Sequence, residues 1–464
     1  MSKISKRTIG LLAGVVIVAL LAAVILLVQR TPAEGDGESS SSQSSSSVVL
    51  SPYAVEDVVS VEIKTVDEEY TVLVDENGDA YIEELEGYPR NESGLYSILA
   101  DASEVTATQL VEENPSDLEK YGLDNPLAEA AVTYSDGSVF RLKVGDSTPS
   151  GSEMYVQTED GNVYLMQEMD VWGLISPMSE YVERRLIPPL ESSSDVVESC
   201  KTLGLTKITF GGSLRETPIE ITFDGESGTF YMVSPVRRKL GDEVASILGG
   251  VFGVYASHTV NLEPTEQDIS DAGLDDPETV ITLEYDGQTL EIRLDGRDKD
   301  LLSAMRSDVD ILYDLDESGI SFMRLQYQDF LPEEYIIDTQ EEISSLEIAF
   351  GSETYTLVPG EEPTVNGEAV DADLFDSFFT MALSARSEGE RSQEVSGEPD
   401  MTLTVNLTDQ NRSPEVLQFY YDGSRSYDVD CNGSVTTYIK SSYVSKLQQA
   451  LESLLGGEEF STDW

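Results

Sequence analysis

The sequence predicts an α+β protein: an N-terminal transmembrane helix, then three tandem repeats of a mostly antiparallel sheet with helices packed on one face. Three observations carry that expectation. An uncharged apolar run stands near the N-terminus. A glycine-stopped turn followed by an Asp-Gly hairpin occurs twice at one internal spacing, and an opening hairpin followed by an amphipathic helix occurs three times.

The anchor comes first. Ile9 to Val28 are twenty consecutive residues without a charge, enough to span roughly 30 Å as a helix. Lys3, Lys6 and Arg7 precede the run, and the chain turns acidic at Glu34 and Asp36 beyond it. Positive flanks stay cytoplasmic, so residues 1–8 are expected inside and the rest exported, as the ectodomain of a single-pass cell-membrane protein. A cleaved secretory signal would have a shorter apolar core ending in small residues, whereas this run ends Leu26-Leu27-Val28-Gln29-Arg30. Residues 29–48 follow as a serine-rich linker, with eight serines between Ser39 and Ser47. Such a stretch has no apolar surface to bury and reads as a flexible tether.

Composition bounds the ectodomain. The net charge is −60, from 28 basic and 88 acidic side chains. A surface of that sign repels nucleic acid and anionic polymers, so no nucleic-acid partner is expected. Two cysteines, Cys200 and Cys431, fall at unrelated repeat positions. No disulfide framework is expected, and stability must come from apolar cores.

The repeats set the architecture. Ser116-Asp-Leu-Glu-Lys-Tyr-Gly-Leu-Asp-Asn-Pro126 matches Asp268-Ile-Ser-Asp-Ala-Gly-Leu-Asp-Asp-Pro277. Each reads as a short helix stopped by glycine, Gly122 or Gly273, in the left-handed region. Leu118 should then meet Leu123, and Ile269 should meet Leu274, as the apolar pair of a Schellman motif. Ser116 with Glu119 forms a capping-box pattern, and Thr265 with Asp268 approximates one. Hairpins follow, turning at Asp136-Gly137 and at Asp286-Gly287. From Pro126 to Gly145 and from Pro277 to Gly296 the offset is 19 residues in both.

Upstream, Val61-Glu-Ile-Lys and Tyr70-Thr-Val-Leu-Val lead to a helix carrying Leu95, Ile98 and Leu99. Ile208-Thr-Phe and Ile219-Glu-Ile-Thr-Phe lead to one carrying Val244, Ile247, Leu248, Val251 and Phe252. Leu346-Glu-Ile-Ala-Phe and Tyr355-Thr-Leu lead to a third with Leu374, Phe375, Phe378 and Phe379, followed by Met401-Thr-Leu-Thr-Val-Asn-Leu. This third copy lacks the glycine-leucine stop. The chain closes on an apolar stripe of Val444, Leu447, Leu451 and Leu454 at helical spacing. The expected units are 49–190, 191–332 and 333–464, the last divergent.

The stretch Tyr121 to Met166, with its Tyr-Gly-Leu-Asp-x-Pro stop, strand pair, Val-Gly-Asp turn and Tyr-Val and Val-Tyr hairpin, resembles the core of domain-of-unknown-function family 4340. Tyr181-Val-Glu-Arg-Arg-Leu-Ile resembles that family's exit segment. The resemblance covers about residues 55–330. It implies a membrane-anchored bacterial exported protein, of a kind found alongside gliding-motility-type auxiliary ABC transporter components. It brings no catalytic residue with it.

Known chemistries find little purchase. His258 is the only histidine, too few for a His-based triad or a two-histidine metal site, and reads as a solvated polar residue. Asp75-Glu-Asn77-Gly-Asp79 and Asp314-Leu-Asp316-Glu-Ser318-Gly319 carry some EF-hand positions. Ala80 replaces the turn glycine in one, and Leu325 the bidentate glutamate in the other, so both read as acid-rich hairpin turns. Arg184-Arg185 and Arg237-Arg238-Lys239 either form a partner-facing patch or neutralise neighbouring carboxylates.

The expectation is therefore a non-enzymatic binding or scaffold protein with no catalytic, cofactor or metal residue assigned. Its partners are the membrane, through residues 9–28, and an ABC transporter or other membrane-complex proteins. Two alternatives stand beside it: a cell-envelope hydrolase using paired carboxylates, and an extracytoplasmic ligand or ion sensor.

Overall fold

The computed structural model describes residues 47–297, 301–316, 320–391, 395–410 and 412–464. The expected tail 1–8, the anchor 9–28 and the tether up to Ser46 lie outside the described residues. Among those described, no helix is long and apolar enough to cross a membrane.

The first stretch of chain forms β1 (Val48–Pro52), β2 (Val58–Thr65), β3 (Glu69–Val74), β4 (Ala80–Ile82) and helix α1 (Glu92–Ala102). It continues as β5 (Glu104–Ala107), β6 (Gln109–Glu112), β7 (Ala128–Tyr134), β8 (Val139–Ser147), β9 (Glu153–Thr158), β10 (Val163–Gln167) and α2 (Trp172–Ile175). After α3 (Val196–Leu203) come β11 (Leu205–Gly211), β12 (Ile219–Asp224), β13 (Thr229–Ser234), β14 (Arg238–Lys239) and α4 (Glu243–Val251). Then follow β15 (His258–Asn261), α5 (Glu266–Asp271), β16 (Thr279–Tyr285), β17 (Gln288–Asp295), β18 (Leu302–Arg306) and β19 (Val309–Leu315). The last stretch forms β20 (Ile343–Phe350), β21 (Glu353–Val358), β22 (Thr364–Val365), β23 (Glu368–Ala369) and α6 (Ala372–Leu383). It ends with β24 (Gly389–Glu390), β25 (Met401–Leu407), β26 (Glu415–Tyr421), β27 (Ser426–Cys431), β28 (Ser434–Lys440) and α7 (Ser441–Gly456).

Three large sheets result, ordered β4-β3-β2-β7-β8-β9-β10-β6, β14-β13-β12-β11-β16-β17-β18-β19-β15 and β23-β22-β21-β20-β25-β26-β27-β28-β24. All pairings are antiparallel. With the covering helices, the protein is α+β. Each order says the same thing. An opening meander and a later meander lie side by side through their first strands. The helix between them carries the chain to the far edge, where a short strand pairs with the last strand of the second meander.

The central pairings share a further detail. Each opening strand carries a bulge at its start, between Val58 and Ser60, between Leu205 and Lys207, and between Ile343 and Ser345. An extra residue there resets the alternation of faces. The buried positions accordingly run Val58, Val61, Ile63; Leu205, Ile208, Phe210; and Ile343, Leu346, Ile348.

The helices bury the faces their spacing predicts: Leu95, Ile98, Leu99 and Ala102 on α1, and Val244, Leu248 and Val251 on α4. On α6 the buried side chains include Phe375, Phe378 and Phe379, and on α7 Val444, Leu447, Leu451 and Leu454. Each fully buried large apolar side chain contributes about 1.5–3 kcal/mol.

The glycine stops form as expected. Gly122 and Gly273 have φ of 68° and 77°. Leu123 N–H donates to the Leu118 carbonyl at 3.1 Å, and Leu274 N–H to that of Ile269 at 3.0 Å. Small satellite cores gather at both sites. The capping differs from expectation. Thr265 and Asp268 make a reciprocal box, but the turn at Glu119–Tyr121 is 3-10 with Leu118 at its N-cap and no side-chain cap, so Ser116 does not serve there. A single short turn exposes too few N–H groups on one axis to need the Ser116 hydroxyl.

The apolar interior is one continuous cluster from Val58 to Phe330 across the first two sheets, while residues from Tyr335 onward form a second cluster.

Candidate functional site

The chain is joined at two places, and both use the basic residues that stand out in the sequence. At the first junction, Arg184 Nη1 meets Glu180 at 2.8 Å and donates to the Ser257 carbonyl at 2.7 Å. Leu186 N–H donates to the Val254 carbonyl, and Ala256 N–H to that of Arg184, both at 2.8 Å. Buried Tyr181, Val182, Leu186 and Ile187 carry the shared core across the connection. The Arg185 backbone carbonyl accepts from Arg306 at 2.6 Å.

The second junction is polar. Lys239 Nζ lies 3.0 Å from both Asp338 and Glu342, and Arg412 Nη1 donates to Asp338 at 2.7 Å. The Asp338 side chain is 1% exposed. Burial opposes its charge, yet Arg412 and Lys239 hold the carboxyl below its usual range. Burial likewise opposes the Lys239 ammonium, but Glu342 and Asp338 keep its pKa above the lysine norm. Arg237 donates to the Pro414 carbonyl at 2.8 Å and to Asn432 at 3.0 Å, and Arg238 to the Glu334 carbonyl at 2.7 Å. The basic run therefore neutralises carboxylates and caps carbonyls within the chain.

Beside that junction a cleft of about 590 Å³ opens between the second and third sheets, lined among others by Arg238, Gln328, Tyr335, Arg386, Glu388 and Glu390. Tyr335 forms a wall. Its hydroxyl lies 2.6 Å from Thr437 Oγ1, and burial pushes its pKa up to about 12. Arg238 stacks over its ring at 5.5 Å. Glu388 pairs with Lys440 at 2.7 Å. The exposed Arg386 guanidinium lies 5.9 Å over the Trp464 ring and has no hydrogen-bond acceptor or carboxylate among the described residues. Trp464 is held in turn by Ser384 at 2.9 Å and by an edge-on contact with Tyr443. Gln328 Oε1 is buried without a hydrogen-bond partner. Junctions between packed units are usual places for ligand sites.

Other residues singled out by the sequence lie elsewhere. His258 is exposed on β15, across from Asp314. Asp75 is a hairpin turn: its Oδ1 accepts from the N–H groups of Asn77 and Asp79 at 2.8 and 3.0 Å. Of the second acidic string, residues 317–319 lie outside the described residues. Among those described, no group of three or more His, Cys, Asp or Glu is placed to hold a metal ion. Cys200 and Cys431 are free and buried. Burial pushes the Cys200 thiol up to about 12.

Two buried acids adjoin, Glu278 just before β16 and Asp295 at the end of β17. Asp295 accepts from the Glu278 N–H at 3.2 Å and pairs with Arg297, while Glu278 accepts from the Gly296 N–H at 3.3 Å. These bonds are local and structural. Asp101 is the described carboxyl group pushed upward. Burial in the contact of α1 with α2 raises it to about 6, partly opposed by the Gly173 N–H at 3.1 Å.

With the geometry in place, comparison with known families gives one match. Residues 81–204 match the family described as a domain of unknown function, DUF4340. The matched segment runs from β4 through α3, so it contains the Gly122 stop, the Asp136-Gly137 hairpin and the arginine-bearing junction segment. No curated protein and no solved structure matches the chain.

The basic junction residues were visible in the sequence, but their side was not. Gln328, Tyr335 and Arg386 carried no sequence signal, because the cleft they line exists only where two sheets meet.

Proposed function

We propose that this chain is a membrane-anchored extracytoplasmic binding or scaffold protein without catalytic activity, an accessory of an ABC-type transport or export assembly. In this reading it consists of an anchor at 9–28 and three tandem copies of one α+β unit, at 49–190, 191–332 and 333–464. The observation that supports it is the way the units are fastened. The first two share an apolar core, and the third is clamped by Lys239 and Arg412 around the buried Asp338 carboxylate. Fastened units hold their surfaces at set spacings, which a scaffold needs and a string of mobile domains lacks. The link to a transport assembly comes from the family resemblance.

The test is affinity purification of the tagged full-length chain from detergent-solubilised membranes, followed by mass spectrometry. ABC transporter subunits should co-purify at stoichiometric levels. Their absence from preparations that retain the intact chain would remove the accessory reading. Protease added to intact cells should digest a C-terminal tag and spare an N-terminal one.

A further inference from the structure

We infer that the cleft between the second and third sheets binds a short peptide with free termini. The inference deepens the binding reading above and rests on it only for the view that the protein is a binder.

The charges on the cleft are the first reason. This chain has 88 acidic and 28 basic side chains, so an arginine without a carboxylate is not explained by scarcity of partners. Arg386 nevertheless has none among the described residues, and its guanidinium is held over Trp464 at 5.9 Å beside the cavity. Glu333 and Glu390 also line the cleft, and no cation pairs with either among the described residues. One ligand must therefore satisfy both signs. A phosphate or a polyanion would meet Arg386 but be repelled by the glutamates, and a simple cation would do the reverse.

The second reason is the uncharged hydrogen-bonding surface. Gly389 and Glu390 form the outermost strand of the third sheet, paired on one side only, with β28. The other edge is open to main-chain N–H and C=O groups of an added extended segment. A carboxylate for Arg386, an ammonium for the glutamates and amide groups for the strand edge occur together in a short peptide. The volume of about 590 Å³ suits a ligand of that size.

The experiment uses the full-length chain in detergent with Trp172→Phe, which leaves Trp464 as the only tryptophan beside Arg386. The probe is an equimolar library of tripeptides to pentapeptides with free termini, and the same library amidated at the C-terminus. Binding is followed by Trp464 fluorescence and independently by calorimetry. The free library should give a saturable response. Arg386→Gln should weaken it about tenfold or more, the loss of a charge-assisted bond. The amidated library should bind about as weakly, and Arg386→Gln should leave that weak binding unchanged. Arg386→Lys should recover part of the affinity, and thermal stability should be the same in all three proteins. No saturable response at millimolar peptide overturns the inference, as does amidated peptide binding as tightly as free peptide. A good peptide response with no co-purifying transporter would leave this site standing and remove the accessory role.

Discussion

Single residues decide most where they are buried and charged. Asp338 stands between two cations in the second junction, with its side chain 1% exposed. Asp338→Ala leaves the Lys239 ammonium and the Arg412 guanidinium partly buried without their shared partner. It should cost roughly 3–5 kcal/mol, read as a lower urea midpoint for the third unit. The pH dependence follows from sign. The folded pKa of Asp338 is depressed, so its contribution is fully present above the ordinary carboxylate range and is lost as pH falls through the folded value. Asp101 works the other way. Its folded pKa is raised to about 6, so the folded state holds the proton more tightly than the unfolded chain. Its contribution is therefore present below about pH 4 and is lost as pH rises through about 6. Asp101→Asn should raise the melting temperature at pH 8 and make no difference near pH 4, measured as Tm against pH. Arg215 is a different case, buried at 6% exposure with no carboxylate among its partners. Its guanidinium donates to the carbonyls of Gly211, Met323 and Leu325 and to Thr279 Oγ1. No local pattern around Arg215 announced this latch, since its acceptors lie up to 110 residues away.

Among elements, the turns and helix faces were legible and the strand details were not. The glycine stop at Gly273 was readable because a left-handed residue, two apolar neighbours and a proline occur within a few positions. A test separates conformational strain from contact. Gly273→Ala and Gly287→Ala both place alanine at positive φ, 77° and 72°, costing about 1 kcal/mol each. A Cβ at Gly273 would also sit 2.7 Å from the Asp295 carboxyl, whereas one at Gly287 meets nothing within 4 Å. Gly273→Ala should therefore lower the urea midpoint clearly more than Gly287→Ala. The hairpins that look alike in sequence turn differently. Asp286 and Gly287 both have positive φ, while at Asp136-Gly137 only the glycine does. In the strands, buried residues spaced three and then two apart fit neither a regular strand nor a helix. Three bulges explain the spacing, and the same spacing in all three copies was the available signal.

For the whole molecule, the division of the core matters more than the count of units. The first two sheets share one apolar cluster and the third has its own. Apolar surface buried in common unfolds together, whereas a polar junction couples less strongly. Calorimetry should therefore show two transitions, one for residues up to Phe330 and one for the third unit. Lys239→Ala should shift the second downward and leave the first nearly unchanged. A single transition with both variant and parent would mean that the junction couples the units as tightly as a core does.

The sequence by itself determined the α+β class, the apolar faces of the helices, the glycine stops and the family resemblance of residues 81–204. Each depends on residues within a turn or a hairpin of one another, so local spacing carries the information. Only the tertiary structure decided that Arg184, Arg237, Arg238 and Lys239 reach partners at the junctions, that the first two sheets share a core, and that Gln328, Tyr335 and Arg386 meet at one cleft. Those outcomes depend on contacts between residues far apart in the chain. In a sequence with 88 acids, any base has many possible partners. Which one it reaches is settled by the packing of sheets, which no short stretch of sequence encodes.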